Sequence, residues 1–337
     1  MVESQSVKAT RTSKTLKTAV AVAILLLVTA CGLGFYFNRG QIIDFITAKS
    51  FKPSSEIEQV EKAIELTDKG NIIFYASRPV LQGQDEFNES CDSHDDEISV
   101  LGCYSDGNIF LYNIKDAELA GVVESTAAHE LLHAAWERMS YSEKSEISDY
   151  IKDVYNSKKY HDMLDEDLEI YNDDELIEEL HSRIGTEIAD LPEALERHYA
   201  RYFKNQDLVV DYFDNYITPF RELSEAIDDM TNKLEQMSAD IDTKTAAYYR
   251  AADSLSSEID EFNRCANTPN CFPTDALFYA RRNVLLGEQS ALDSMYDELD
   301  SLIDEYNSLV EEYNANILRG KALEEAINSN KQEEVLK

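Results

Sequence analysis

The segment Ala127-Ala128-His129-Glu130-Leu131-Leu132-His133-Ala134-Ala135-Trp136 sets two imidazoles four residues apart, with a carboxylate directly after the first. On a helix of 3.6 residues per turn, positions four apart share a face, so His129 and His133 can offer two nitrogens to one ion. Glu130, one step on from His129, can then take a proton from a water that the ion activates. This His-Glu-x-x-His spacing is a zinc-hydrolase signature, and Zn²⁺ is the expected ion. The rival reading is a hydrogen-bonded pair of core histidines. The setting favours the metal. From Asp116 as N-cap, the run from Ala117 to Met139 carries Leu119, Val122, Val123, Leu131, Leu132 and Trp136 and is apolar nearly all the way round, so it predicts a buried helix. Buried imidazoles and a buried carboxylate are costly unless something satisfies them, and one cation satisfies all three.

A mononuclear site needs a third protein ligand. The stretch from Asp174 to Glu187 reads as a second helix, dense in carboxylates and carrying His181. His-Glu-x-x-His followed by Glu179-x-x-Ser182 resembles the gluzincin branch of the zincin metallopeptidases. The likeness covers about residues 71–203 and is closest to the compact minigluzincin core. It implies zinc held by His129, His133 and Glu179, with Glu130 as general base for peptide-bond hydrolysis. The chain departs from the thermolysin-type pattern at Glu178 and Arg183, where Asn and Asp would stand. Glu178 and His181 remain rival third ligands, and Glu187, two turns beyond Glu179, could orient a ligand histidine. His181, His198, Tyr199 and Tyr202 are the candidates for stabilising an oxyanion.

These residues need a scaffold. Asn71 to Ala76 reads as a short β-rich run, and Ile98 to Tyr104 with Asn108 to Ile114 flank Ser105-Asp106-Gly107, a hairpin signal. The fold class expected is therefore α+β: a mainly helical zincin-like domain with a small antiparallel sheet. By the same resemblance, Gly107 to Tyr112 is expected to be an edge strand that binds extended peptide; the alternative is an ordinary hairpin strand that packs its alternate side chains into the core.

Location is written at the N-terminus. Lys8, Arg11, Lys14 and Lys17 precede an uncharged apolar run from Thr18 to Phe37, long enough to span a bilayer once with the basic flank in the cytoplasm. Val28-Thr29-Ala30-Cys31 also looks like a lipobox, the alternative being a lipoprotein anchored at Cys31. Either way the remainder lies outside the cytoplasm. The other four cysteines form two close pairs, Cys91 with Cys103 and Cys265 with Cys271, suited to disulfides in an oxidising compartment.

The C-terminal third changes character. Leu223, Ile227, Met230, Leu234, Met237 and Ile241 alternate by four and three, resume through Ile259 and Phe262, and are answered by Leu292, Tyr296, Leu299, Ile303, Tyr306, Val310, Tyr313 and Ile317. This predicts an antiparallel coiled-coil hairpin with arms of about 65 Å, bent between Cys265 and Pro273. The expected organisation is a basic tail (1–17), a transmembrane anchor (18–37), a metallopeptidase domain (38–219, bordered by Pro219), the hairpin (220–328) and a flexible tail (329–337). With 66 acidic against 31 basic residues and a formal net charge of −35, nucleic acid is excluded as a partner. The expected partners are a polypeptide substrate, the membrane, and a protein or second copy bound through the hairpin. The function expected is extracytoplasmic zinc-dependent peptide hydrolysis; the alternative is a surface-anchored coiled-coil scaffold with a silent zinc domain.

Overall fold

Thr67 and Asp68 decide the conformation of a segment whose composition points the other way. The Thr67 hydroxyl accepts from the Gly70 N–H at 3.1 Å, and this cap starts a helix at Asp68–Ala76 that buries Ile73, Phe74 and Ala76. The β-rich run expected at Asn71 to Ala76 is thus helical, because the cap and the burial of Phe74 outweigh the strand preference of isoleucine and phenylalanine.

The computed structural model describes residues 39–91, 101–160 and 173–328, together with Thr29 and Leu164. The expected basic tail, transmembrane anchor, lipobox cysteine and C-terminal tail lie outside the described residues, Thr29 apart. Among the described residues, no helix is long and apolar enough to cross a membrane. The chain divides into two compact units, residues 1–216 with 327–337, and residues 217–326.

The first unit is mainly helical. Helix α1 covers 39–50; α2 (Ser55–Ala63) and α3 (Asp68–Ala76) lead to strand β1 (Val80–Gln82) and α4 (Gln84–Ser90). Strands β2 (Gly102–Ser105) and β3 (Asn108–Tyr112) form the expected hairpin, turning at Asp106 and Gly107, both at positive φ. The sheet is mixed, not antiparallel as expected: its order is β1-β3-β2, with β1 parallel to β3 and β2 antiparallel to it. A three-residue strand is too short to show a period of two, so β1 left no mark in the sequence. Its presence puts β3 in the middle of the sheet, with Ile109 and Leu111 fully buried. The strand at the rim beside the histidine helix is β2.

The histidine helix α5 spans Val122–Glu137. It starts later than expected because Asp116 caps a separate 3₁₀ turn at Ala117–Leu119, and Gly121, at φ 99°, separates the two. Only glycine takes that conformation without strain. Ala127, Ala128, Leu131, Leu132, Ala134 and Ala135 are buried against the sheet and neighbouring helices. Helix α6 (Tyr141–Tyr155) opens with a capping box of Ser140 and Glu143. Helix α7 (Asp173–Glu187) packs against α5, and α8 (Glu193–Tyr199) packs on α6. The close approach of α7 depends on Gly185, where an added Cβ would meet Leu132 Cδ1 and Tyr199 Cε1, each at 2.5 Å.

Two long helices follow, α9 (Gln206–Ala266) and α10 (Asp275–Ile327), and the second unit is made of their residues from Ile217 to Ala326 with the bend between them. Lys233 pairs with Glu305 at 3.3 Å, Lys244 with Glu298 at 3.8 Å and Arg281 with Glu258. Partners that descend in number as their mates ascend mark antiparallel arms. Leu223, Met237, Leu255, Leu285 and Leu323 are buried along the seam, but Tyr296 is 54% exposed, since two helices alone cannot enclose every seam position. Pro219, expected at a border, lies inside α9, where it has no backbone N–H to give to the helix. Both expected disulfides are present, Cys91 with Cys103 and Cys265 with Cys271.

Candidate metal centre

Helix α5 sends His129 and His133 from one face toward α7, which answers with Glu178 and Glu179. The His129 and His133 Nε2 atoms lie 3.1 Å apart. Glu179 Oε1 is 3.6 Å from His129 Nε2, and its Oε2 is 3.3 Å from His133 Nε2. Atoms about 2.0–2.1 Å from a tetrahedral ion lie about 3.3–3.4 Å from one another. All three separations fall near that edge length, so the triad fits a single divalent ion, and it is the one His/Cys/Asp/Glu group among the described residues that does.

The two rival ligands are placed elsewhere. Glu178 Oε1 accepts from His133 Nδ1 at 3.2 Å, on the side of the ring away from the triad. That bond holds the ring with Nε2 toward the triad. His181 is fully buried, and its Nε2 lies 2.8 Å from His198 Nε2. His198, Tyr199 and Tyr202, candidates with His181 either for an oxyanion or for aromatic packing, join it and Trp136 in an aromatic cluster, and the Tyr199 hydroxyl donates to the His181 carbonyl at 2.8 Å. These four are core residues. Glu187 binds Arg183, with Nε 3.0 Å from Oε1, instead of a ligand histidine.

Glu130 is 5% exposed, on the strand side of the triad. Burial pushes its pKa up, against the attraction of both imidazoles, and the Tyr104 backbone N–H donates to its carboxylate. Gly102 makes this approach feasible: a Cβ there would lie 2.5 Å from Thr126 Cγ2 and 3.1 Å from Glu130 Oε1. Burial works against a charge on His133, yet the bonds to Glu178 and Glu179 prevail and hold its pKa up at about 10. His129 is likewise raised, burial being outweighed by Glu179. Glu179 itself is held well below the usual carboxylate range, because the two imidazoles overcome the opposing effect of its burial. A cation arriving here displaces the proton that His133 holds.

Several contributors were not legible beforehand. Arg138, at the end of α5, donates from Nε and Nη2 to the two Asp44 oxygens at 3.1 and 3.2 Å, and from Nη1 to the Tyr104 hydroxyl at 3.0 Å. Tyr104 in turn donates to Glu137. These contacts tie α1 and β2 to the end of the histidine helix. Asp44 and Arg138 are 94 residues apart, and no local pattern joins them. Comparison with protein-family models, with curated proteins and with solved structures returned no match.

Proposed function

We propose that the chain is a zinc-dependent peptidase, anchored in a membrane with its metal centre outside the cytoplasm. The observation that carries this reading is the convergence of His129 Nε2, His133 Nε2 and the Glu179 carboxylate at 3.1 to 3.6 Å, with the buried carboxylate of Glu130 beside them. A zinc ion, when bound, supplies Lewis acidity that polarises a carbonyl oxygen and acidifies water. His129, His133 and Glu179 hold the ion, and Glu178 orients His133. Glu130 accepts the proton of the attacking water as its oxygen bonds to the carbonyl carbon. It returns that proton to the departing amine nitrogen as the C–N bond breaks. Its burial beside the two imidazoles places the carboxylate for both transfers. A carboxylate serving a purely structural ion has no need to sit buried in that position.

The rim strand β2 supports a polypeptide substrate, because an extended chain can add to a sheet edge next to Glu130. This assignment replaces the central strand β3. The uncharged run at 18–37 supports a single membrane anchor, and two disulfides support an oxidising location. The helical hairpin suits a spacer or a docking arm, and a scaffold with a silent centre is the reading to be tested against.

The test is Glu130→Gln on the zinc-loaded full chain. Zinc stoichiometry should stay unchanged while turnover of a generic fluorogenic peptide falls by about 10²–10⁴-fold, the span attributed to a positioned acid–base group. Unchanged turnover would remove Glu130 from the role of base, and a native chain that binds zinc and cleaves no peptide would assign the centre to a scaffold.

A further inference from the structure

Helix α1 is inverted. At about 100° per residue, Ile42, Ile43, Phe45 and Ile46 fall on one side with Arg39 and Lys49, while Asp44, Thr47 and Ala48 fall on the other. Ile43 is 60% exposed, Phe45 49% and Ile46 61%, with Ile42 half-buried among them, whereas the Asp44 side chain is only 21% exposed. The acidic residue is thus the one turned to the protein, held by both oxygens on Arg138. That bidentate pair fixes the rotation of the helix. The outward apolar face is therefore set by a specific contact and is not a helix that failed to find its core.

What covers this face follows from what precedes it. The uncharged run Thr18 to Phe37 ends at Asn38, and Arg39 opens the helix. Resting on the membrane anchorage proposed above, we infer that α1 seats Ile43, Phe45 and Ile46 in the boundary between lipid headgroups and acyl chains. Arg39 and Lys49 stand at headgroup level; Lys49 already folds over the Phe45 ring, with Nζ 5.8 Å from its centre, the arrangement of a basic stem that keeps its charge in water over a buried apolar patch. The attraction is apolar. A chain of net charge −35 gains nothing from an anionic surface, so contact should persist on zwitterionic lipid and in high salt.

The experiment uses the full chain reconstituted in phosphatidylcholine vesicles, with and without acyl-chain-brominated phosphatidylcholine as a contact quencher. Reporters are Ile46→Trp and Ile43→Trp, compared with Tyr141→Trp, a position 88% exposed at the start of α6. The native Trp136 is 6% exposed and supplies a constant background. Brominated lipid should quench the indole at 46 and at 43 several-fold more than the indole at 141, in low and high salt alike. Equal quenching at all three positions in a chain that floats with the vesicles overturns the lipid contact while leaving the anchor intact. So does an unquenched face in a chain of doubled mass, which would give it to a second copy. A chain that does not float overturns the anchor itself, and the inference with it.

Discussion

His133 carries a proton that zinc must remove, and the structure sets how tightly that proton is held. With the pKa raised to about 10 by Glu178 and Glu179, binding at a pH of about 7.5 works against roughly 2.5 units, about 3 kcal/mol, or about 300-fold in apparent affinity. Apparent zinc affinity should therefore climb by about tenfold per pH unit for each proton displaced, and should still be rising at a pH of about 9. Glu178→Gln keeps an acceptor for Nδ1 but removes the charge that holds the proton. In that variant the climb should level off at lower pH. Its plateau should also lie below the native one, by about 10-fold or more, the usual loss when a partner of a ligand histidine is changed. The assay is competition with a chromophoric chelator across the range. A native affinity that is flat above a pH of about 6.5, or a Glu178→Gln profile that overlays the native one, refutes the assignment of Glu178 to the back of His133.

Further outcomes follow from the same coordinates. Glu179→Ala should weaken zinc more than Glu178→Gln does, since it removes a ligand and not a support; the reverse order by the same chelator assay would make Glu178 the ligand. Without zinc, the raised His133 pKa stabilises the fold fully below about 6.5 and that contribution is lost as pH rises through about 10; the thermal midpoint of the metal-free chain should fall across that window, and zinc should restore it. His198 runs the opposite way: burial, with Arg201 and Lys69 nearby, lowers its pKa to about 4, so its contribution is present above about 6.5 and lost as pH falls toward 4. Acid scans of thermal unfolding should show this loss in the native chain and a smaller one in His198→Gln. Gly185→Val forces side-chain atoms into Leu132 and Tyr199 and should destabilise by about 1–3 kcal/mol in denaturant titration; a neutral result would mean that α7 can move away from α5.

Residues close together in sequence were the legible ones. His129, Glu130 and His133 share one helix, so their spacing defines their geometry, and the apolar surroundings announced a buried helix that the structure contains. The cysteine pairs and the antiparallel hairpin were readable for the same reason. Glu178 and Glu179 show where such reading stops. Adjacent carboxylates on a helix point about 100° apart, and only the packing of α7 on α5, through Gly185, decides which faces the imidazole Nε2 atoms. Asn71 to Ala76 has the composition of a strand, but the cap at Thr67 starts a helix that includes it. The rim strand is β2 and not β3, because β1, three residues long and without a sequence signal of its own, covers the other edge of β3. Asp44 on Arg138 and the Tyr104 N–H on Glu130 join distant parts of the chain, and only the fold brings them together.

Anomalous diffraction at the zinc edge from crystals of the zinc-loaded chain tests the central claim most directly. The account predicts a single strong peak about 2.0–2.1 Å from His129 Nε2, His133 Nε2 and a Glu179 oxygen, with Glu178 on His133 Nδ1. A peak located elsewhere, or one held by both histidines with Glu179 turned away, would contradict it.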